Sequence, residues 1–300
     1  MIYTVTLNPA IDYVMRLAVL APGRTNRTAA EQIQFGGKGI NVSCVLRELE
    51  VESTALGFIA GFTGEALAAH LAKVGIRTDF IRLPEGHTRI NVKLKTEQEG
   101  AGETEINASG PAILDACLQA LLAKLDTLTE GDTLVLAGSI PASLPRNTYS
   151  RILSRLAGRG IRFVVDAEGE LLTAVLPYRP FLVKPNRAEL EGIMGRELPT
   201  DEDLRKAAAE LQRQGAVNVL VSLGGDGALL LDEHGTVHRC PAHPIPPVNT
   251  VGAGDSMVAG FLAGVDRGYE YALRLGMACG GATAGAEGLA TAESISALMV

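Results

Sequence analysis

At 300 residues, with 47% apolar and 20% charged, the chain can bury a large core and is too apolar for wholesale disorder or a fibrous repeat. A formal net charge of −7 without any Lys/Arg run argues against a nucleic-acid or anionic-membrane partner and leaves room only for a local basic pocket. No stretch approaches the roughly 20 apolar residues that span a bilayer, and the N-terminus shows neither a basic leader nor a cleavage site, so the cytoplasm is the expected location.

In chain order, Ile2, Val5 and Leu7 open the sequence with strand-like alternation. Residues 12–35 and 88–108 alternate polar and apolar positions loosely, without helical stripes, and read as an accessory β element inserted in a larger domain. Within the second of these, Ile90, Val92 and Leu94 fall on one face and Arg89, Asn91, Lys93 and Lys95 on the other, leaving one face for solvent or a ligand. Residues 41–49 and 65–74 read as core-packed helices. Cys44, Cys117, Cys240 and Cys279 are widely spaced, form no CxxC pair, and read as reduced thiols rather than a metal or redox site.

From about residue 112 helical stripes alternate with short apolar runs, the pattern of a largely parallel sheet covered by helices. Ile113, Leu114, Cys117, Leu118, Leu121, Leu122 and Leu125 form one stripe. Thr133–Ala137, 161–166, 181–184 and Asn218–Ser222 are predicted buried strands, the second ending in Asp166. Residues 151–156 belong to a helix, Asp201 reads as the cap of another running through Leu204 and Leu211, and 228–232 resume as strand.

Four segments could carry chemistry. Gly36-Gly37-Lys38-Gly39-Ile40-Asn41 opens the first long helix and could cradle a phosphate or simply form a tight turn. It lacks the Walker A spacing, and Val42 stands where a dinucleotide fingerprint needs its last glycine. Lys184-Pro185-Asn186-Arg187-Ala188-Glu189 sits where a strand ends and a helix begins. Its Glu189 could hold Mg²⁺ through water, or Asn186 and Glu189 could form a capping box. Ser222-Leu223-Gly224-Gly225-Asp226-Gly227 follows a strand and could wrap a nucleotide or merely turn. Asn249-Thr250-Val251-Gly252-Ala253-Gly254-Asp255-Ser256 precedes a stripe through Met257, Val258, Phe261 and Leu262. Small residues there let a ligand approach a helix N-terminus, where Asp255 could accept a hydroxyl proton or serve only as a cap.

Taken in this order and at these separations, 36–41, 184–189 and 249–256 resemble the ribokinase-like, or PfkB, carbohydrate kinases over the whole chain. Thr6-Leu7-Asn8-Pro9-Ala10-Ile11-Asp12, Thr88-Arg89-Ile90-Asn91-Val92-Lys93 and Gly138-Ser139-Ile140-Pro141 are most similar to the branch acting on fructose 1-phosphate. The resemblance implies one three-layer α/β/α domain, of ribokinase-like (Rossmann-like) α/β class, over residues 1–300 with a small β-sheet lid, and a homodimer formed through that lid. It implies ATP and Mg²⁺, and transfer to fructose 1-phosphate giving fructose 1,6-bisphosphate. Tagatose 6-phosphate and fructose 6-phosphate are alternative acceptors, and a non-catalytic phosphosugar sensor is the alternative of another class, disfavoured because Asp255, Gly254 and Glu189 are intact.

Carried over residue by residue, the resemblance makes Asp255 the base and gives the amides of Ala253, Gly254 and Asp255 to an anion hole, with Gly252 a further catalytic-site residue. Asp12, Gly37 and Asn41 meet the sugar, and Lys38, Arg89 and, across a dimer, Arg24 meet its phosphate, with Asn107 and Ser139 as further substrate contacts. Lys184, Asn186, Ser222, Gly224 and Gly227 fall on the nucleotide side, and Glu189 on the Mg²⁺. Asn249 departs from the Asp or Ser of the family pattern, which weakens the carry-over of a monovalent-cation site.

Overall fold

The computed structural model describes residues 1–96 and 103–299. Its first half contains β1 (Ile2–Thr6), β2 (Ala10–Leu17), β3 (Ala30–Gly36), α1 (Lys38–Glu48), β4 (Ser53–Ala60) and α2 (Gly61–Lys73). These are followed by β5 (Arg77–Thr78), β6 (Ile81–Leu83), β7 (Arg89–Thr96), β8 (Glu103–Ile106), α3 (Asp115–Leu125), β9 (Thr133–Ala137) and α4 (Thr148–Leu156). Next come β10 (Arg162–Asp166), α5 (Glu170–Thr173), β11 (Leu182–Val183), α6 (Arg187–Met194), α7 (Asp201–Gln214) and β12 (Asn218–Ser222). The chain closes with β13 (Ala228–Leu231), β14 (Val237–Cys240), α8 (Ala253–Gly264), α9 (Tyr269–Ala284) and α10 (Ala292–Leu298).

Ten strands form the main sheet in the order β14-β13-β12-β11-β10-β9-β1-β4-β5, with β6 also paired to β4. All its pairings are parallel except those of β13 with β12 and β14. The central strands are apolar throughout because both faces are covered. In β9, Leu134 and Leu136 pack against the layer of α3, α4 and α7, while Val135 and Ala137 pack with α1, α8 and α9 on the other face. The result is three layers, α/β/α. Sequence bounds are close here, except that 181–184 shrinks to the two residues of β11. The cap of α7 is also Thr200 rather than Asp201: Thr200 takes the extended conformation and forms a capping box with Asp203, and Asp201 is already helical.

The two looser segments meet in a second sheet, ordered β3-β2-β7-β8, with residues 97–102 of the 88–108 segment lying outside the described residues. Its polarity is the reverse of an ordinary surface sheet. Asn91 and Lys93 are buried, whereas Ile33, Ile90 and Ile106 are 56%, 42% and 59% exposed. The register lines up Ile33, Tyr13, Val92 and Ile106 across all four strands, so one face of the sheet is an apolar band. The polar residues of β7 therefore point inward, toward the ends of β1 and α1. Among the described residues no helix is long and apolar enough to cross a membrane, and all four cysteines are free.

Candidate active site

The stripe Met257, Val258, Phe261 and Leu262 is buried against the main sheet and fixes where the first turn of α8 stands. Gly252 begins the helix in the left-handed region at φ 82°. Of the amides expected in an anion hole, that of Ala253 already donates to the Thr250 carbonyl at 3.2 Å. Among the described residues, the N–H groups of Gly252, Gly254 and Asp255 there have no backbone acceptor, and the last two belong to the first turn of α8. Asp255 is 4% exposed, and its carboxylate accepts from Asn41 Nδ2 at 2.8 Å. Asn41 comes from α1, which can start where it does only because Gly37 adopts φ 129°, with a would-be methyl 2.6 Å from Thr6 Cγ2. Two glycine turns more than 200 residues apart in sequence thus set one carboxylate–amide pair.

Behind Asp255 lies a buried charge cluster that includes a residue absent from the sequence reading as a site candidate. Asp166, 2% exposed at the end of β10, takes Lys38 Nζ at 3.3 Å on one oxygen and Lys184 Nζ at 3.4 Å on the other. Lys184 stands over the helix start, since a methyl on Gly254 would lie 3.1 Å from its Nζ. Burial, and then the charge of Asp166, push the Asp255 carboxyl up to about 6, against the opposing pull of the Asn41 amide and of Lys38 and Lys184. Burial alone would push the Lys38 ammonium down, but the carboxylates of Asp166, Asp255 and Glu189 outweigh it and hold it above its usual range.

A second polar group comes from the inward face of the small sheet. Asp12 accepts from Asn91 Nδ2 at 2.8 Å, with Lys93 Nζ 3.9 Å away. Arg89 donates to the carbonyls of Asn8 at 3.2 Å and Ala108 at 3.3 Å, and burial lowers its proton affinity while Asp12 opposes this. Asn107 is exposed and turns its amide to Glu105 at 3.0 Å, so among the described residues it joins Asp12 through Glu105 and Lys93. Ser139 is exposed beside Gly138, and Arg24 is exposed in the loop between β2 and β3, apart from the other groups. The sheet is tied across the cleft at Glu287: Arg16 pairs with its carboxylate at 2.5 Å, and Gln34 and Asn249 both donate to its carbonyl.

On the other side of α8 a cleft of about 390 Å³ is lined by Asn186, Ser222, Gly224, Gly227, Ala253 and Gly254 at its polar end. Asn186, at the cap of α6, and Ser222, at the end of β12, are joined by an isolated parallel bridge. Glu189 and Asn186 do form the capping box, with reciprocal bonds of 2.9 and 2.8 Å. The far end, lined by His243, Ile245, Pro247 and Met277, escapes a sequence reading, for these residues carry no motif. Such an apolar slot beside free amides and lysines suits a flat base joined to phosphates.

A buried carboxylate stands at a helix N-terminus, with Lys38 and Lys184 near it and the polar group of Asp12, Asn91 and Arg89 on the inward face of the small sheet. Fold and site together define a kinase for a small hydroxylated acceptor. Residues 5–295 match the pfkB family carbohydrate kinases. The chain is 44% identical to a 1-phosphofructokinase of Bacillus subtilis, covering 100% of this chain and 97% of the relative. A D-tagatose-1-phosphate kinase of Bacillus licheniformis is 36% identical over 96% of this chain and 94% of its own length. The structure of Escherichia coli phosphofructokinase-2 in complex with substrates and products superposes with a TM-score of 0.93 at 31% identity, covering 99% of this chain and 98% of that one. The chain therefore belongs to the pfkB family of carbohydrate kinases.

Proposed function

We propose that the protein transfers the γ-phosphoryl group of ATP to the 6-hydroxyl of fructose 1-phosphate, giving fructose 1,6-bisphosphate and ADP. The observation that carries this reading is Asp255, buried in the first turn of α8 beside its free amides and hydrogen-bonded to Asn41 of α1. Asp12 and Asn41 bind and orient the sugar hydroxyls, and Arg89 meets the phosphate already on the sugar. Asp255 takes the proton of the attacking hydroxyl, and the Gly254 and Asp255 amides with Lys184 stabilise the charge on the transferring group.

For Mg²⁺, the described residues hold no group of three or more His, Cys, Asp or Glu side chains that could bind a metal alone. That fits an ion carried largely by phosphate oxygens and steadied by one carboxylate, for which Glu189 stands at the head of α6. Held there, the ion would supply charge neutralisation for the nucleotide's phosphates. The chain acts as one cytoplasmic kinase domain with the small sheet as its lid, which keeps water from the transferring group.

A coupled ADP-release assay tests the acceptor, offering fructose 1-phosphate, tagatose 1-phosphate, fructose 6-phosphate and tagatose 6-phosphate separately. The expected result is a strong preference for fructose 1-phosphate. The relative acting on tagatose 1-phosphate makes that sugar, the C4 epimer with the same phosphate position, the second reading. Preference for a 6-phosphate would overturn the assignment of the phosphate end, and no turnover would leave a sensor.

The elevated proton affinity of Asp255 sets the pH dependence. A base must be ionised, so turnover should be full above about 6 and fall as pH drops through it. Phosphomonoesters lose their second proton near the same point, about 6. The discriminating comparison is Asp166→Asn, which removes a charge that holds the Asp255 proton and should move the limb to lower pH. A limb that stays in place belongs to the substrate.

The apolar band of Ile33, Ile90 and Ile106 supports a homodimer through the lid, presenting Arg24 to the partner's site. Ile33→Glu should sediment as a monomer where the parent protein sediments as a dimer; a parent protein that is monomeric at tens of micromolar, about the range of a weak interface, would remove the proposal.

A further inference from the structure

In the sequence Lys38 stands with Arg89 as a cation for the phosphate already on the acceptor, but the two side chains have no partner in common among the described residues. Lys38 Nζ lies 3.3 Å from Asp166 Oδ1 and 4.0 Å from Glu168 Oε1. The other oxygen of Asp166 holds Lys184 at 3.4 Å, and Lys184 stands over Gly254. One buried carboxylate therefore places two ammonium groups side by side at the start of α8. Arg89 is instead bound to the Asn8 and Ala108 carbonyls beside Asp12.

We propose that Lys38 is a catalytic residue that grips the transferring phosphoryl group, completing with Lys184 and the Gly254 and Asp255 amides a cage around its equatorial oxygens. The phosphate already on the acceptor is left to Arg89. This rests on the kinase reading above and deepens it.

In the transfer, the 6-oxygen of the acceptor bonds to the γ-phosphorus while the bond from that phosphorus to the β,γ-bridging oxygen breaks. The electron pair leaves on ADP, and the hydroxyl proton passes to Asp255. Charge on the three oxygens of the group in flight is what the cage must compensate, and a fixed cation in a water-poor site does so without reorganising. Lys38 meets that requirement. Its ammonium faces the carboxylates of Asp166, Asp255 and Glu189, so it stays charged although largely buried. Asp166 holds it beside Lys184, whose Nζ stands over Gly254, a residue that lines the cleft. A lysine serving the sugar's own phosphate would be expected among the Asp12, Asn91 and Arg89 group instead.

The test separates kcat from KM in Lys38→Met and Arg89→Met, with Mg-ATP saturating and fructose 1-phosphate varied. Loss of a transition-state contact should lower kcat of Lys38→Met by about 10²- to 10³-fold with acceptor KM within about threefold, whereas Arg89→Met should raise acceptor KM at least about tenfold. If Lys38→Met raises acceptor KM and keeps its kcat, or changes neither, the proposal is overturned. Should Lys38→Met not fold by its thermal melt, Lys38→Arg keeps the charge on a differently shaped group. A loss confined to kcat then supports the proposal, and one confined to acceptor KM, or none, overturns it. A parent protein that turns over no phosphosugar defeats the kinase reading itself, a result visible before any variant is made.

Discussion

Asp255→Asn should fold, bind nucleotide and lose nearly all turnover, by about 10²- to 10⁴-fold, the range expected for removing a general base. The Asn41 amide would find an oxygen acceptor in the substituted side chain as it does in the aspartate, so the site's geometry survives while its capacity to take a proton does not. Stability should not suffer. The folded-state proton affinity of Asp255 is raised, so its contribution favours folding below the unfolded carboxyl value and is lost as pH rises through about 6. Above that point the ionised carboxylate is a cost that asparagine does not carry. Urea unfolding at pH 7.5 together with an ADP-release assay checks both halves. Near-parental turnover in a folded Asp255→Asn protein would leave the hydrogen bond with Asn41 as the role of this residue.

Asp166→Asn should cost stability as well as activity. Its carboxylate is 2% exposed and shared by two ammonium groups, of which Lys184 is itself 6% exposed. Removing one partner of a buried ion pair leaves charge uncompensated and typically costs about 3–5 kcal/mol. Here Lys184 carries most of that, since Lys38 is the more exposed of the two, at 35%, and keeps the Glu168 carboxylate 4.0 Å away. Activity should fall because both cations lose the anchor that aims them at α8. Urea midpoints at pH 7.5 would report the loss, and a change below about 1 kcal/mol would mean that Lys184 finds another partner in the folded state.

What can be read from the sequence follows from what kind of signal each feature leaves. Thr133–Ala137 and Asn218–Ser222 are legible to the residue because strands covered on both faces must be apolar throughout. The glycine turns at 36–39 and 252–254 are legible because each depends on one glycine of positive φ, Gly37 and Gly252, a backbone few other residues tolerate. Asp166 reads as a strand end and no more, because one of its partners lies 128 residues away and carboxylates at strand ends are common. Asn186 and Glu189 show how a local pattern can be read two ways, since their capping box is present and leaves a metal role neither required nor removed. Alternation in β7 is plain in the sequence, but a period of two does not say which face turns inward, and here the polar one does.

That alternation restricts how the small sheet can change over evolutionary time. β2 and β7 run side by side from the Ala10–Arg89 pair to the Leu17–Thr96 pair. Inserting or deleting a single residue within either strand would rotate every later side chain to the opposite face. Ile90 and Val92 would turn inward and Asn91 and Lys93 outward, so one genetic event would strip Asp12 of both partners and charge the apolar band together. Length variation among descendants of this chain is thereby confined to the connections, such as 18–29, while the strands can drift in composition only by pairs that respect both faces.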